Sequence, residues 1–228
     1  MKKSERRIYL LTGALTIVLY VMGVLTGFYV YSLGVNQGYN QLAEMRSEID
    51  QYSKGLQSLQ LQQLYLSSDN NLTCRYLVSS INSLQSDIYM LAKKLPKKLE
   101  VFEKYYPQDQ NYVKIKKDYM SLLIKSWLFS LTVRNRCGKN VVPILYFYSS
   151  DCEDCIEQGY TLDALQRDVD NLLVFTIDFN LDDETVRMIK QVYGIDTVPS
   201  LIVNEKAMRG LQDYGSVMAA IRNSSGAA

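Results

Sequence analysis

The fold is decided by residues 141–155, which read VVPILYFYSSDCEDC. Up to Tyr148 this stretch is β-branched and aromatic without alternation, which is typical of a strand buried on both faces. The residues that follow acquire helical spacing, so the two cysteines lie at a corner between a strand and a helix. Cys152 falls in the opening turn of that helix, where free backbone N–H groups and the positive end of the helix dipole favour a thiolate.

Alternating elements follow this corner. The patterns predict a helix over 152–168, a strand over 172–178 and a further helix that ends at Gly194. A strand, a helix and a second strand in this order form a βαβ unit. Val198-Pro199 comes directly before another apolar run. Because proline stops ladder pairing at its own position, we expect a special turn there.

These features together resemble the thioredoxin superfamily, over residues 141–223. The shared pattern is Cys152-Glu153-Asp154-Cys155 at a strand-to-helix corner, followed by Val198-Pro199 before a strand. The resemblance implies an α/β domain of βαβαββα order with a mixed four-stranded sheet, ending in a hairpin over 201–211 and a helix near 216–222. It also implies a cis Val198-Pro199 bond that lies against the dithiol and shapes a peptide-binding surface.

The activity that the resemblance implies is disulfide exchange with protein substrates. Cys152 would form a mixed disulfide with the substrate, and Cys155, one turn deeper on the same helix face, would resolve it. Val198 and Pro199 complete the expected catalytic site, and neither a cofactor nor a metal is called for. A separate redox partner, not identified by the sequence, would exchange electrons with the pair.

The chain departs from thioredoxin itself at three places. Glu153 and Asp154 stand where thioredoxin has Gly-Pro, and Asp151 stands where it has tryptophan. These carboxylates disfavour a thiolate, whereas the helix N-terminus favours one, so the direction of electron flow stays open. Tyr146 occupies the position of a buried aspartate, so a proton would reach the second thiol by another route. The alternative hypotheses are a non-catalytic scaffold with a permanent disulfide in a membrane complex, and a protein whose stalk is the functional part.

Composition excludes several other classes. Lys and Arg total 25 against 24 Asp and Glu, so the chain lacks the basic field that drives nucleic-acid binding. It contains no His, which argues against hydrolase triads and removes the commonest metal ligand. Of the 4 cysteines, Cys74 and Cys137 lie far from the close pair. A structural zinc site would need all four as ligands, from positions far apart in the sequence, which argues against such a site.

The N-terminal part predicts a membrane anchor. Residues 1–7 are rich in Lys and Arg, and no charge occurs from Ile8 to Tyr31, which is enough chain to cross a bilayer. The apolar stretch exceeds a signal-peptide core and no cleavage site follows, so an uncleaved signal anchor is favoured over a cleaved signal peptide. The basic flank predicts a single-pass protein of the cell membrane, with residues 1–7 in the cytoplasm and the remainder outside.

Helical segments separate the anchor from the α/β domain. Residues 32–67 carry apolar residues at alternating spacings of three and four, with only Gln63 breaking the series, which is the heptad seam of a coiled coil: Leu42, Met45, Ile49, Tyr52, Leu56, Leu59 and Leu66. A parallel homodimer and packing against the same chain are both open. Residues 68–138 predict further helices, and 139–223 the α/β domain, with a flexible tail over 224–228. Cys74 begins one predicted helix and Cys137 ends another, so antiparallel packing would allow a disulfide between them, the alternative being two unrelated buried thiols.

Overall fold

The computed structural model describes residues 3–65, 71–81, 99, 102 and 108–225. The chain forms two compact units, Met1–Glu44 and Met45–Ala228. The larger unit contains a mixed four-stranded sheet with helices packed on it, so the chain has the α/β class that the sequence predicts.

Helix α1 spans Lys3–Tyr65 and begins in the smaller unit. Its segment Leu11–Tyr29 has a mean hydropathy of 1.9 and is 0% buried, so it is long and apolar enough to cross a membrane. The hydroxyls of Thr16 and Thr26 donate to backbone carbonyls one turn earlier, at 2.6 and 2.7 Å. Such bonds satisfy a hydroxyl where no water is present. The predicted anchor and stalk are one continuous helix as far as Tyr65, since no proline interrupts the chain before 96.

Three residues of the heptad seam are buried within the larger unit, and Tyr52 and Leu59 are half-buried. Met45, Ile49 and Leu56 are at most 2% exposed in the structure of a single chain, so these side chains pack on residues of their own chain. Residues 71–81 are helical and form α2, in which Leu77 and Ile81 are also buried. Leu66, the last residue of the seam, lies outside the described residues, and so do residues 67–70, 82–98, 100, 101 and 103–107.

The sheet is built on a parallel pair of strands. Strands β1 and β2 are parallel and joined by a helix, β1 is antiparallel to β3, and β3 is antiparallel to β4, giving the order β2-β1-β3-β4. Both residues between β3 and β4 have positive φ, as a type I′ hairpin requires. The elements are α3 (Gln110–Cys137), β1 (Val142–Tyr148), α4 (Glu153–Asp168), β2 (Leu172–Asp178), α5 (Glu184–Tyr193), β3 (Ser200–Val203), β4 (Lys206–Arg209) and α6 (Tyr214–Ser225).

Helices α3, α4 and α6 pack on the sheet. Helix α3 packs on β1, β2 and α5, while α4 contacts β2 and α6, and α6 contacts β3. The broad apolar side of α3 buries Tyr119 and Trp127 almost completely. Asp109 caps the start of α3 by accepting the N–H groups of residues 111 and 112, and Gly138, at φ 60°, ends it.

One disulfide joins α2 to the end of α3. The sulfur atoms of Cys74 and Cys137 lie 2.11 Å apart and their Cα atoms 5.3 Å apart. This bond closes a loop with a sequence separation of 63 residues. It therefore removes more conformational entropy from the unfolded chain than a short-range bond does.

Replacing both cysteines of this pair tests that difference. We expect Cys74→Ser/Cys137→Ser to lower the free energy of unfolding by about 4 kcal/mol, and Cys152→Ser/Cys155→Ser, the matched short-range control, by about 1.5 kcal/mol. Urea denaturation of the full-length protein in neutral detergent measures both values. Equal losses would contradict the loop-length account.

Candidate active site

The close cysteine pair lies where β1 passes into α4. Cys152 is the N-cap of α4, and its sulfur accepts the N–H of Cys155 at 3.1 Å. The two sulfur atoms are 2.02 Å apart, at disulfide distance. Cys152 is half-buried, whereas Cys155 is only 5% exposed. The sulfur atom of a substrate can therefore reach the Cys152 sulfur, which already accepts a hydrogen bond from the Cys155 N–H.

Tyr146 contacts the pair from the strand below it. Its hydroxyl donates to the Cys155 carbonyl oxygen at 2.6 Å. Burial, with a smaller contribution from Tyr148, raises the pKa of Tyr146 well above its ordinary value. The phenol therefore remains a neutral hydrogen-bond donor at physiological pH, and it holds the first turn of α4 against β1.

The strand that begins at Ser200 brings Val198 and Pro199 toward the same corner. The Val198–Pro199 peptide bond is cis, as the resemblance implied. Ser200 pairs in register with Phe147 of β1, and the Pro199 carbonyl oxygen accepts the Gly210 N–H at 2.9 Å. The half-buried side chains of Val198 and Cys152 pack against the same core cluster that contains Cys155.

Exposed carboxylates surround the outer cysteine. Asp151, Glu153 and Asp154 are all exposed. Ser149 donates a hydrogen bond to Asp151, and this bond, helped by a backbone N–H, lowers the pKa of Asp151 below its ordinary value. Ser149 itself is 6% exposed and accepts from the Asn180 side-chain amide at 3.0 Å. The loop between β1 and α4 is thus tied to the loop that follows β2.

A buried ion pair supports this end of the sheet. Lys116 Nζ of α3 lies 2.6 Å from Asp178 Oδ2, and their side chains are 10% and 11% exposed. Asp178 ends β2, in register with Tyr148 at the end of β1, and its Oδ1 accepts the Asn180 N–H at 2.9 Å. Contacts therefore run from α3 through Asp178 and Asn180 to Ser149.

Sequence reasoning missed two buried polar contacts at this site. One is the Lys116–Asp178 pair, although a lysine between Ile115 and Tyr119 on the apolar side of α3 is a signal for a buried partner. The other joins Gln158, fully buried in α4, to Gln212: the Gln158 amide donates to the Gln212 carbonyl at 3.2 Å and accepts its N–H at 2.8 Å. This reciprocal pair fastens α4 to the segment before α6.

The described residues contain no group of three or more side chains suited to hold a metal ion.

No protein-family model matches the sequence, and no curated protein matches it. The chain is similar to a solved structure described as the structure of a malarial protein, with 19% identity and a TM-score of 0.31. That match covers 37% of this chain and 97% of the other. A likeness of this size carries no argument about function.

Breaking the buried ion pair tests its structural role. Asp178→Asn keeps an oxygen for the Asn180 N–H but leaves the Lys116 ammonium without its carboxylate, so we expect the free energy of unfolding to fall by about 3 kcal/mol. Lys116→Met/Asp178→Asn, which removes both charges, should recover most of that loss. Urea denaturation measures the two variants, and a double variant no more stable than the single one would contradict the assignment.

Proposed function

We propose that this chain is a membrane-anchored thiol-disulfide oxidoreductase of thioredoxin-like fold, which exchanges disulfides with protein substrates through Cys152 and Cys155. The observation that carries the proposal is the difference between the two sulfurs. Cys152 is accessible at the N-cap of α4 and accepts an N–H bond, whereas Cys155 is buried one turn further on. This is the arrangement that a nucleophile and a resolving thiol require.

The arrangement of the elements supports a thioredoxin-like domain. The strand order β2-β1-β3-β4, with one parallel and two antiparallel pairings, is the mixed sheet expected from the resemblance. The dithiol stands after β1, and Val198-Pro199 stands before β3, the neighbouring strand. Two parts of the chain that are distant in sequence thus flank one corner.

The exchange proceeds in two displacement steps. The Cys152 thiolate attacks one sulfur of a substrate disulfide, so that a Cys152–substrate bond forms while the substrate's own S–S bond breaks. The departing thiolate takes a proton from water. Cys155, after losing its proton, attacks the Cys152 sulfur, closes the intramolecular disulfide and releases the second substrate thiolate. Two electrons pass from protein to substrate, and the reverse sequence oxidises a substrate dithiol.

The membrane anchor determines on which side of the membrane the disulfide exchange takes place. Basic residues precede the apolar segment of α1, and the first charge after it is Glu44. This asymmetry supports a cytoplasmic N-terminus and a C-terminal domain outside the cytoplasm. An extracytoplasmic setting is also where a disulfide such as Cys74–Cys137 persists. A scaffold with a permanent Cys152–Cys155 disulfide is the alternative that the following experiment separates.

A resolving-cysteine variant tests the exchange mechanism. The reduced Cys155→Ser protein should form a covalent adduct with a fluorescent peptide disulfide, because the first step proceeds and the second cannot. Dithiothreitol should release the adduct, which non-reducing gel electrophoresis detects. The control, Cys152→Ser/Cys155→Ser, should give only background. Equal labelling of both variants would refute the catalytic role of Cys152 and favour the scaffold.

A further inference from the structure

We infer that the exposed side of α4 beside Cys152 is a docking surface for cationic polypeptide segments that carry apolar residues next to their cysteine. This surface, called the α4 face, consists of Asp151, Glu153, Asp154, Ile156, Glu157 and Tyr160. The inference rests on the proposed function, because it specifies the protein substrates that Cys152 meets.

Two apolar side chains form the centre of the α4 face. Ile156 is 61% exposed and Tyr160 is 71% exposed. They follow Cys152 at intervals of four residues, so each lies one helical turn beyond the last and its side chain neighbours the previous one. A substrate joined to Cys152 would lay the residues beside its cysteine along this stripe. Solvent-exposed apolar side chains in line with a reactive group provide contact area for such a segment.

The charge of the α4 face has a single sign. Asp151, Glu153, Asp154 and Glu157 are all exposed, and no Lys or Arg occurs in the sequence between Ser149 and Arg167. Arg167 lies in the last turn of α4, at the far end of the helix from Cys152. A helix of 16 residues is about 24 Å long, well beyond the Debye length of about 8 Å at physiological salt.

The negative charge of the α4 face determines which kind of segment binds there. It attracts cationic segments and repels anionic ones, and it acts on the rate of encounter. A membrane surface with anionic lipids would be repelled by the same carboxylates, which leaves a polypeptide as the occupant. A substrate with lysine or arginine beside an apolar residue near its cysteine matches both properties of the α4 face.

The test compares three peptide disulfides with the reduced full-length protein in neutral detergent micelles. Each peptide has leucines beside its cysteine and, further out, two lysines, two glutamines or two glutamates. We expect the lysine peptide to react about tenfold faster than the glutamate peptide at low salt, with the glutamine peptide between them. At about 1 M salt the three rates should converge. Equal rates at low salt, or a faster glutamate peptide, would overturn the inference.

Single substitutions test whether residues of the α4 face cause these differences in reaction rate. Glu157→Gln should reduce the lysine-to-glutamate rate ratio about twofold, whereas Asp170→Asn, the same charge change beyond the other end of α4, should leave it unchanged. Ile156→Ser should slow the reaction of all three peptides in the same proportion. The matched control Val192→Ser, which changes another exposed apolar residue, on α5, should not slow any of them. Equal effects of a variant and its control would contradict the assignment of the α4 face.

A small neutral disulfide separates the two proposals. Bis(2-hydroxyethyl) disulfide has neither charge nor an apolar flank, so its reaction reports the chemistry of Cys152 alone. If the reduced protein fails to react with it and with every peptide, the proposed function falls. If it reacts while the three peptides react at one common rate, the proposed function stands and the docking inference falls.

Discussion

Burial of β1 on both sides is the constraint on which the rest of the larger unit depends. The strand lies between β2 and β3 and contacts α3, and every residue from Val142 to Phe147 is buried. A shift of one residue would exchange the two sets of core side chains, so the register is strongly specified. The end of β1 is therefore fixed, and the loop that carries Cys152 starts from a fixed point.

Polar contacts then fix the other sides of the same corner. The Tyr146 hydroxyl holds the Cys155 carbonyl, and Asn180 holds Ser149. Tyr146, Cys155 and Ser149 are buried, so the loss of either hydrogen bond would leave a desolvated polar atom on one of these residues. The dithiol is thus held by packing from beneath and by hydrogen bonds from β1 and from the loop that follows β2, while its outer side is acidic and open to solvent.

Local patterns in the sequence predict the elements well because each depends on residues close in the chain. The predicted strand 172–178 matches β2, and the predicted helix 152–168 matches α4 with Cys152 as its cap. The Gln158–Gln212 contact joins residues 54 apart and depends on how α4 meets α6, which periodicity does not encode. The sequence also leaves open what the heptad seam packs against, because spacing does not identify the partner surface. Met45 and Ile49 have the same spacing whether they face a second chain or, as found, their own.

The central claim is that Cys152–Cys155 is a working redox couple while Cys74–Cys137 is structural. A redox titration of the full-length protein in neutral detergent, with mass-shift alkylation of free thiols, measures both pairs at once. The account predicts that Cys152–Cys155 opens and closes reversibly as a two-electron couple while Cys74–Cys137 stays oxidised. Reduction of both pairs at the same potential, or opening of Cys152–Cys155 only when the protein unfolds, would contradict it.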